Sequence, residues 1–176
     1  AAFGVVANFK ELKKYARRLT VKYNHYRFDK VTHLPDSGYI RITNDDSIAI
    51  LDVAPIGPDY LPGHAHADTL SFELSVFGKR FIVNSGTSLY GPSDERSRQR
   101  GTAAHSTLIV NEEDSTEVWG GFRVANRARI IRKHYEMDSG NRILFVGEHD
   151  GYKKTFGGCI HSRSINMDNN SLTVND

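Results

Sequence analysis

Cysteine is almost absent from this 176-residue chain: Cys159 stands alone, so no intrachain disulfide can form and clustered-cysteine zinc sites are excluded. Long apolar runs are missing as well, and nothing approaches the ~18 residues that would cross a bilayer. The mildly apolar Ala1–Asn8 stretch is too short for a signal peptide and lacks a basic leader. Charge of one sign is not in excess either. The 23 Lys and Arg face 21 Asp and Glu, a net +2, whereas phosphate binding needs a clustered surplus of cations. Neither nucleic acid nor a membrane is an expected partner. What is present is ordinary globular composition, 39% hydrophobic and 25% charged, in a length that suits one domain with one core.

The chain opens with a helix signal. Lys10–Arg18 holds strong helix formers, with Leu12, Tyr15, Ala16 and Leu19 at helical spacing. Beyond it the pattern changes to short β-type runs between turn residues, which predicts an all-β sandwich or barrel. Gly38–Thr43, Ser47–Val53, Phe81–Val83, Ser106–Val110, Ala128–Arg132, Ile143–Val146 and Ser171–Val174 read as strands. The clearest is Thr69–Val76, where Leu70, Phe72, Leu74 and Val76 alternate with polar residues. Pro55 to Gly63 reads as a long loop and Gly91–Gly101 as a charged one. Lys22–Lys30, basic and aromatic, reads as a half-exposed strand in preference to an RNA contact. An apolar run almost at the last residue suggests a sandwich cut short.

The chemistry concentrates in Gly63-His-Ala-His-Ala-Asp68. In an extended backbone residues two apart share a face, so His64, His66 and Asp68 would point together, with the parity of Leu70 and Phe72. Buried ionisable groups must be paired, which leaves a metal, a polar network or an anionic substrate to meet them. Asn84 or His105 could complete a zinc site. A two-residue turn at Gly78-Lys79 would put Asn84 on the opposite face, unless a bulge shifts the register by one. Arg96, Arg98 and Arg100 carry forks that suit carboxylates of acidic sugars, or they belong to a solvated loop. Tyr90 at the loop entrance is either a proton-transfer phenol or a packing aromatic. His25, His33, His134, His149 and His161 have no constellation around them.

Taken in order, Asp52–Gly57, Gly63–Phe72, Asn84-Ser-Gly-Thr87 with Tyr90, Arg96–His105, His149–Tyr152 and Arg163 resemble the C-terminal β-sandwich of the heparinase II/III-like polysaccharide lyases, alginate lyases among them. The resemblance covers roughly Ser37 to Asp176. It implies a large antiparallel β-sandwich, supersandwich-like, over residues 21–176, with residues 1–20 as the tail of an absent N-terminal helical toroid. It implies β-elimination on a uronate of an acidic polysaccharide, in a periplasmic or secreted parent. It also implies His64 as the catalytic histidine, a neighbouring site tyrosine such as Tyr90, Arg96 and Arg100 toward substrate, and Asp68 in support. Zinc would sit on His66, His105 and a third position, where this chain has Asn84 in place of the usual Asp. An isolated sandwich would then be inactive or nearly so.

Two other classes stay open at this level. One is a sandwich that binds acidic sugar or scaffolds an assembly without chemistry. The other is an unrelated metalloenzyme. H-x-H-x-D resembles the start of the metallo-β-lactamase motif, but Thr69 stands where that motif has His. In a cupin, Glu73 would be poorly placed as the motif's carboxylate.

Overall fold

The computed structural model describes residues 7–22 and 28–176. Two antiparallel sheets make the body. The first runs β1 (Val31–Leu34), β2 (Tyr39–Thr43), β3 (Ser47–Asp52), β4 (Phe72–Val76) and β5 (Lys79–Ile82), in sequence order. After a two-stranded ribbon of β6 (Val118–Trp119) and β7 (Arg123–Val124), the second sheet is formed by β8 (Ile130–Met137), β9 (Ile143–His149), β10 (His161–Met167) and β11 (Leu172–Asn175), ordered β11-β10-β9-β8. Two meanders with one apolar face each can bury those faces only against one another. Ile40, Ile42, Ala49, Leu51, Phe72 and Leu74 of the first sheet share a core with Ile143, Phe145, Ile165 and Met167 of the second. At about 1.5–3 kcal/mol for each large apolar side chain buried, this layer dominates the fold's stability. The expected all-β sandwich is what forms.

The N-terminal helix α1 (Phe9–Arg18) starts on a capping box: Asn8 Oδ1 accepts from Glu11 N–H, and Glu11 Oε2 accepts from Asn8 N–H. None of its residues is buried. Among the described residues no helix is long and apolar enough to cross a membrane.

Several local readings change. Gly91–Gly101 is not a loop: Asp94–Arg100 forms helix α2, capped by the Ser93 hydroxyl. Ser106–Val110 is no strand; only an isolated bridge joins Val110 to Glu113. The extended run into β4 is broken at Leu70, whose φ is +63°, and β4 begins at Phe72. The tight turn of the β4–β5 hairpin is Phe77-Gly78, with Val76 opposite Lys79. β1 and β10 emerge where no strand was expected. The strand reading of Lys22–Lys30, and His25 with it, falls largely on residues 23–27, outside the described residues.

Candidate active site

A cleft of ≈ 700 Å³ opens beside the first sheet, lined among others by Tyr39, Asp52, His64, His66, Asp68 and Asn84. The chain from Val53 to Ser71 builds most of it. Asn84 lies in the irregular chain beyond β5, whose pairing with β4 carries a bulge: Ser75 pairs with Arg80 but Leu74 with Ile82, so one residue of β5 is extra. That shift alone would give Asn84 the parity of Leu74 and Phe72, which face the core, whereas Glu73 and Arg80 line the cleft from the opposite face. Its Oδ1 accepts the Gly86 N–H at 2.8 Å.

His66 and Asp68 line the cleft, and with His105 they each offer a ligand-type atom, all within 4.8 Å of one another. His66 Nδ1 and His105 Nε2 face each other at 3.2 Å. Two nitrogens bound tetrahedrally to one zinc at about 2.0–2.1 Å stand roughly 3.3 Å apart, so the spacing of these two nitrogens suits a shared ion. Burial, the neighbouring His105 and the charges of Arg100 and Arg96 hold His66 down to about 4. Burial also lowers His105, against the pull of Asp68 and Asp114. Both rings are therefore neutral at pH 7, the state a metal requires. His105 Nδ1 is buried without a well-formed hydrogen bond, while the Gln99 carbonyl favours its protonated form. Asp68 is pushed up by burial, opposed by His105. Asp52, on the same cleft, is pushed up to about 7 by burial and by the Asp68 charge.

His64 does not join that cluster. Gly63–Asp68 is a chain of turns and bends, so the shared face expected for the three residues holds for His66 and Asp68 alone. His64 stands exposed, edge-on to Tyr90 with centroids 5.8 Å apart and to Phe122 at 6.3 Å. Both aromatic rings lie over the Arg96 guanidinium, at 5.4 and 4.8 Å. The two residues expected to transfer protons are thus brought together, on a common support.

With the fold and this geometry described, kinship can be placed. Residues 29–176 match the family described as Heparinase II/III-like, C-terminal. This chain belongs to that family. A heparan sulfate lyase from Pedobacter heparinus has the same fold, with a TM-score of 0.65 and 20% identity over 94% of this chain and 26% of its own. A heparinase III gene product superposes with a TM-score of 0.66 at 18% identity, over 94% of this chain and 26% of its own. The chain thus spans about a quarter of the length of these structures. No curated protein matches it in sequence.

In this heparinase-type domain the arginines of α2 differ from expectation. Arg96 and Arg100 are fully buried, at 0% and 1% exposure, so neither presents a free fork to a ligand. Arg96 Nε donates to Gly121 O at 2.6 Å, Nη1 to Leu89 O at 2.9 Å and Thr87 Oγ1 at 3.1 Å, and Nη2 to Gly63 O at 3.3 Å. Arg100 donates to the carbonyls of Ala65 and Arg123. These side chains tie the loops on either side of His64 and Tyr90 to one helix. Only Arg98 is exposed, in an ion pair with Glu95. The guanidinium that does line the cleft is Arg80, paired with Glu73 at 2.9 Å.

Two histidines for which the sequence shows no constellation do have partners. His149 and His161 face each other across β9 and β10 and join a chain of polar contacts with buried Arg163 and the more exposed Asp176. Gly151 N–H donates to His149 Nδ1 at 3.1 Å, so the proton of neutral His149 sits on Nε2 and points at His161 Nδ1, 2.8 Å away. His161 Nε2 then donates to Asp176 Oδ1 at 2.8 Å. Pairing of His149 with His161 requires the strand register, which is why no local spacing announced it.

Proposed function

We propose that this domain is the β-sandwich wall of a polysaccharide lyase that cleaves an acidic, uronate-containing glycan by β-elimination. The parent would be a longer, periplasmic or secreted protein whose helical toroid, ending in residues 1–20, supplies the facing wall. The observation that carries the reading is the His64–Tyr90 pair, ring centroids 5.8 Å apart, beside a cleft lined by His66 and Asp68, which gather with His105.

In the proposed reaction His64 removes the proton on uronate C5. The electron pair of that C–H bond forms the C4–C5 double bond, and the C4–O bond breaks. The leaving oxygen takes the phenol proton of Tyr90, and His64 returns its proton to the phenolate. Arg80 and the Asn84 amide face the uronate carboxylate, whose neutralisation makes the C5 proton removable. His66, Asp68 and His105, with Asn84 beside them, would hold zinc, which supplies positive charge to that wall when bound. Arg96 keeps His64 and Tyr90 at their mutual spacing, in place of the substrate contact first expected of it.

Positioned acid–base groups contribute about 10²–10⁴-fold. In a parent carrying the toroid, His64→Ala and Tyr90→Phe should each lower release of ultraviolet-absorbing unsaturated uronate by at least roughly 10²-fold. Full activity in His64→Ala overturns the assignment. Asn84, standing where the resemblance places Asp, favours a second reading in which the sandwich binds acidic sugar without cleaving it. A parent that binds uronate polymers and never releases unsaturated ends would decide for that reading.

A further inference from the structure

We propose that Arg163 is a positioning residue for the His66–Asp68–His105 cluster, holding together the two loop segments that carry Asp68 and His105. The inference rests on the reading of that cluster as a metal site. Arg163 lies on β10, in the second sheet, and is itself buried. Its Nη1 bridges two carbonyls, Leu70 O at 2.9 Å and Ser106 O at 2.5 Å. One of those lies two residues past Asp68 and the other one residue past His105. No other guanidinium among the described residues joins these two segments.

The segment after Asp68 needs such a hold. Leu70 has φ +63°, a left-handed conformation that costs a branched side chain about 1–3 kcal/mol and persists only where its surroundings over-determine it. Three contacts do so. Its side chain is buried in the core, its N–H donates to Asp52 O at 3.1 Å, and its carbonyl accepts from Arg163. The turn closes through Ser71 N–H to Asp68 O at 2.8 Å. Two further stitches join the segments: Thr107 Oγ1 donates to Thr69 O, and Ser106 Oγ bonds the backbone of Phe72.

Arg163 is in turn held still. Asp176 grips it in bidentate fashion, Oδ1 with Nε at 2.7 Å and Oδ2 with Nη2 at 2.8 Å. The Asp176 carboxylate also accepts from His161, which is backed by His149. A connected chain of polar groups, anchored on Arg163 of the second sheet, therefore sets the separation of two ligands beside the first. Outer groups that orient ligands typically change metal affinity by 10–100-fold.

The test is zinc affinity of the purified chain by chelator competition, with the cobalt-substituted absorption spectrum as a readout of ligand geometry. Arg163→Met should weaken zinc by about 10–100-fold and alter the cobalt spectrum, and Arg163→Lys should recover part of both. Ile165→Val, a core change on the same strand, lowers stability without touching either loop and should leave affinity within about twofold. If Arg163→Met does not fold, Asp176→Asn, which frees the guanidinium, replaces it with the same expectation. Native affinity in the folded Arg163 or Asp176 variant, or an equal loss in Ile165→Val, overturns the positioning role alone. Absence of zinc binding in the unaltered chain overturns the metal reading and the inference with it.

Discussion

Arg96 offers the sharpest separation between a residue that binds substrate and one that holds the site together. Replacement by Met keeps much of the volume and removes the fork. Four acceptors then lose their donor: Gly121 O, Leu89 O, Thr87 Oγ1 and Gly63 O. A buried acceptor left unpaired costs about 1–3 kcal/mol, while removing a desolvated charge returns part of that sum. The net expectation is a loss of about 3–5 kcal/mol, the usual range when one member of a buried charged network is removed. For a domain of this size about 2–4 °C accompanies each kcal/mol, so the melting temperature should fall by roughly 10 °C. Arg96→Lys should recover less than half, because a compact ammonium cannot serve acceptors lying in several directions. Arg98→Ala, on the exposed side of the same helix, should melt like the unaltered chain. Thermal melts by circular dichroism read all three. An Arg96→Met chain that melts within about 2 °C of the original, in a parent whose KM for acidic glycan has risen, would return Arg96 to the substrate and refute the bracing role.

Other consequences follow from single contacts. Burial and the nearby His161 hold His149 down to about 4, against 6.5 unfolded, so between those values the unfolded chain binds the extra proton. Stability is then full above about pH 6.5 and falls as pH drops toward 4; His149→Gln should lose about 2–3 kcal/mol less between pH 7 and 4.5 in urea melts. An unchanged pH slope in the variant would contradict this. Phe77 sits exposed in the hairpin turn with φ +49°, followed by Gly78 at +72°. Asn tolerates that conformation, so Phe77→Asn should raise stability by about 1 kcal/mol, and a lowered melting temperature would count against the turn assignment. A Cβ at Gly151 would lie 2.3 Å from Ser115 O and 2.9 Å from Ala128 Cβ. Gly151→Ala should cost about 3 kcal/mol or prevent folding, and near-native stability would show that this approach is looser than described.

The parts of the fold visible in the sequence are those whose buried face is apolar. β2, β3 and β9 alternate cleanly, with Ile40 and Ile42, Ala49 and Leu51, and Ile143 and Phe145 inward. Helix α2 escaped notice because it buries Arg96, Gln99 and Arg100 at helical spacing; a polar inner face gives no hydrophobic period. β10 escaped for the same reason, since half of its inward residues are His161 and Arg163. In the site, the His66–Asp68 pairing was foreseen from an extended backbone that is not there. Turns bring the two residues together, and a leucine at positive φ carries no sequence signal for one. His105 and Asn84 were named as candidates, but their arrival at the site depends on tertiary packing and on the irregular chain after β5. Asp52 and Arg80 went unassigned because nothing in the local sequence ties either to the histidines; only the cleft makes them neighbours of the cluster.

The central claim is that a uronate glycan is cleaved here by elimination, and the mass of the products tests it most directly. A parent carrying this domain and its toroid should cut a uronate polymer into fragments whose new non-reducing ends are unsaturated, each lighter by one water than a hydrolytic product. Fragments that have taken up water, or intact uronate polymers after prolonged incubation with folded, zinc-loaded protein, would contradict it.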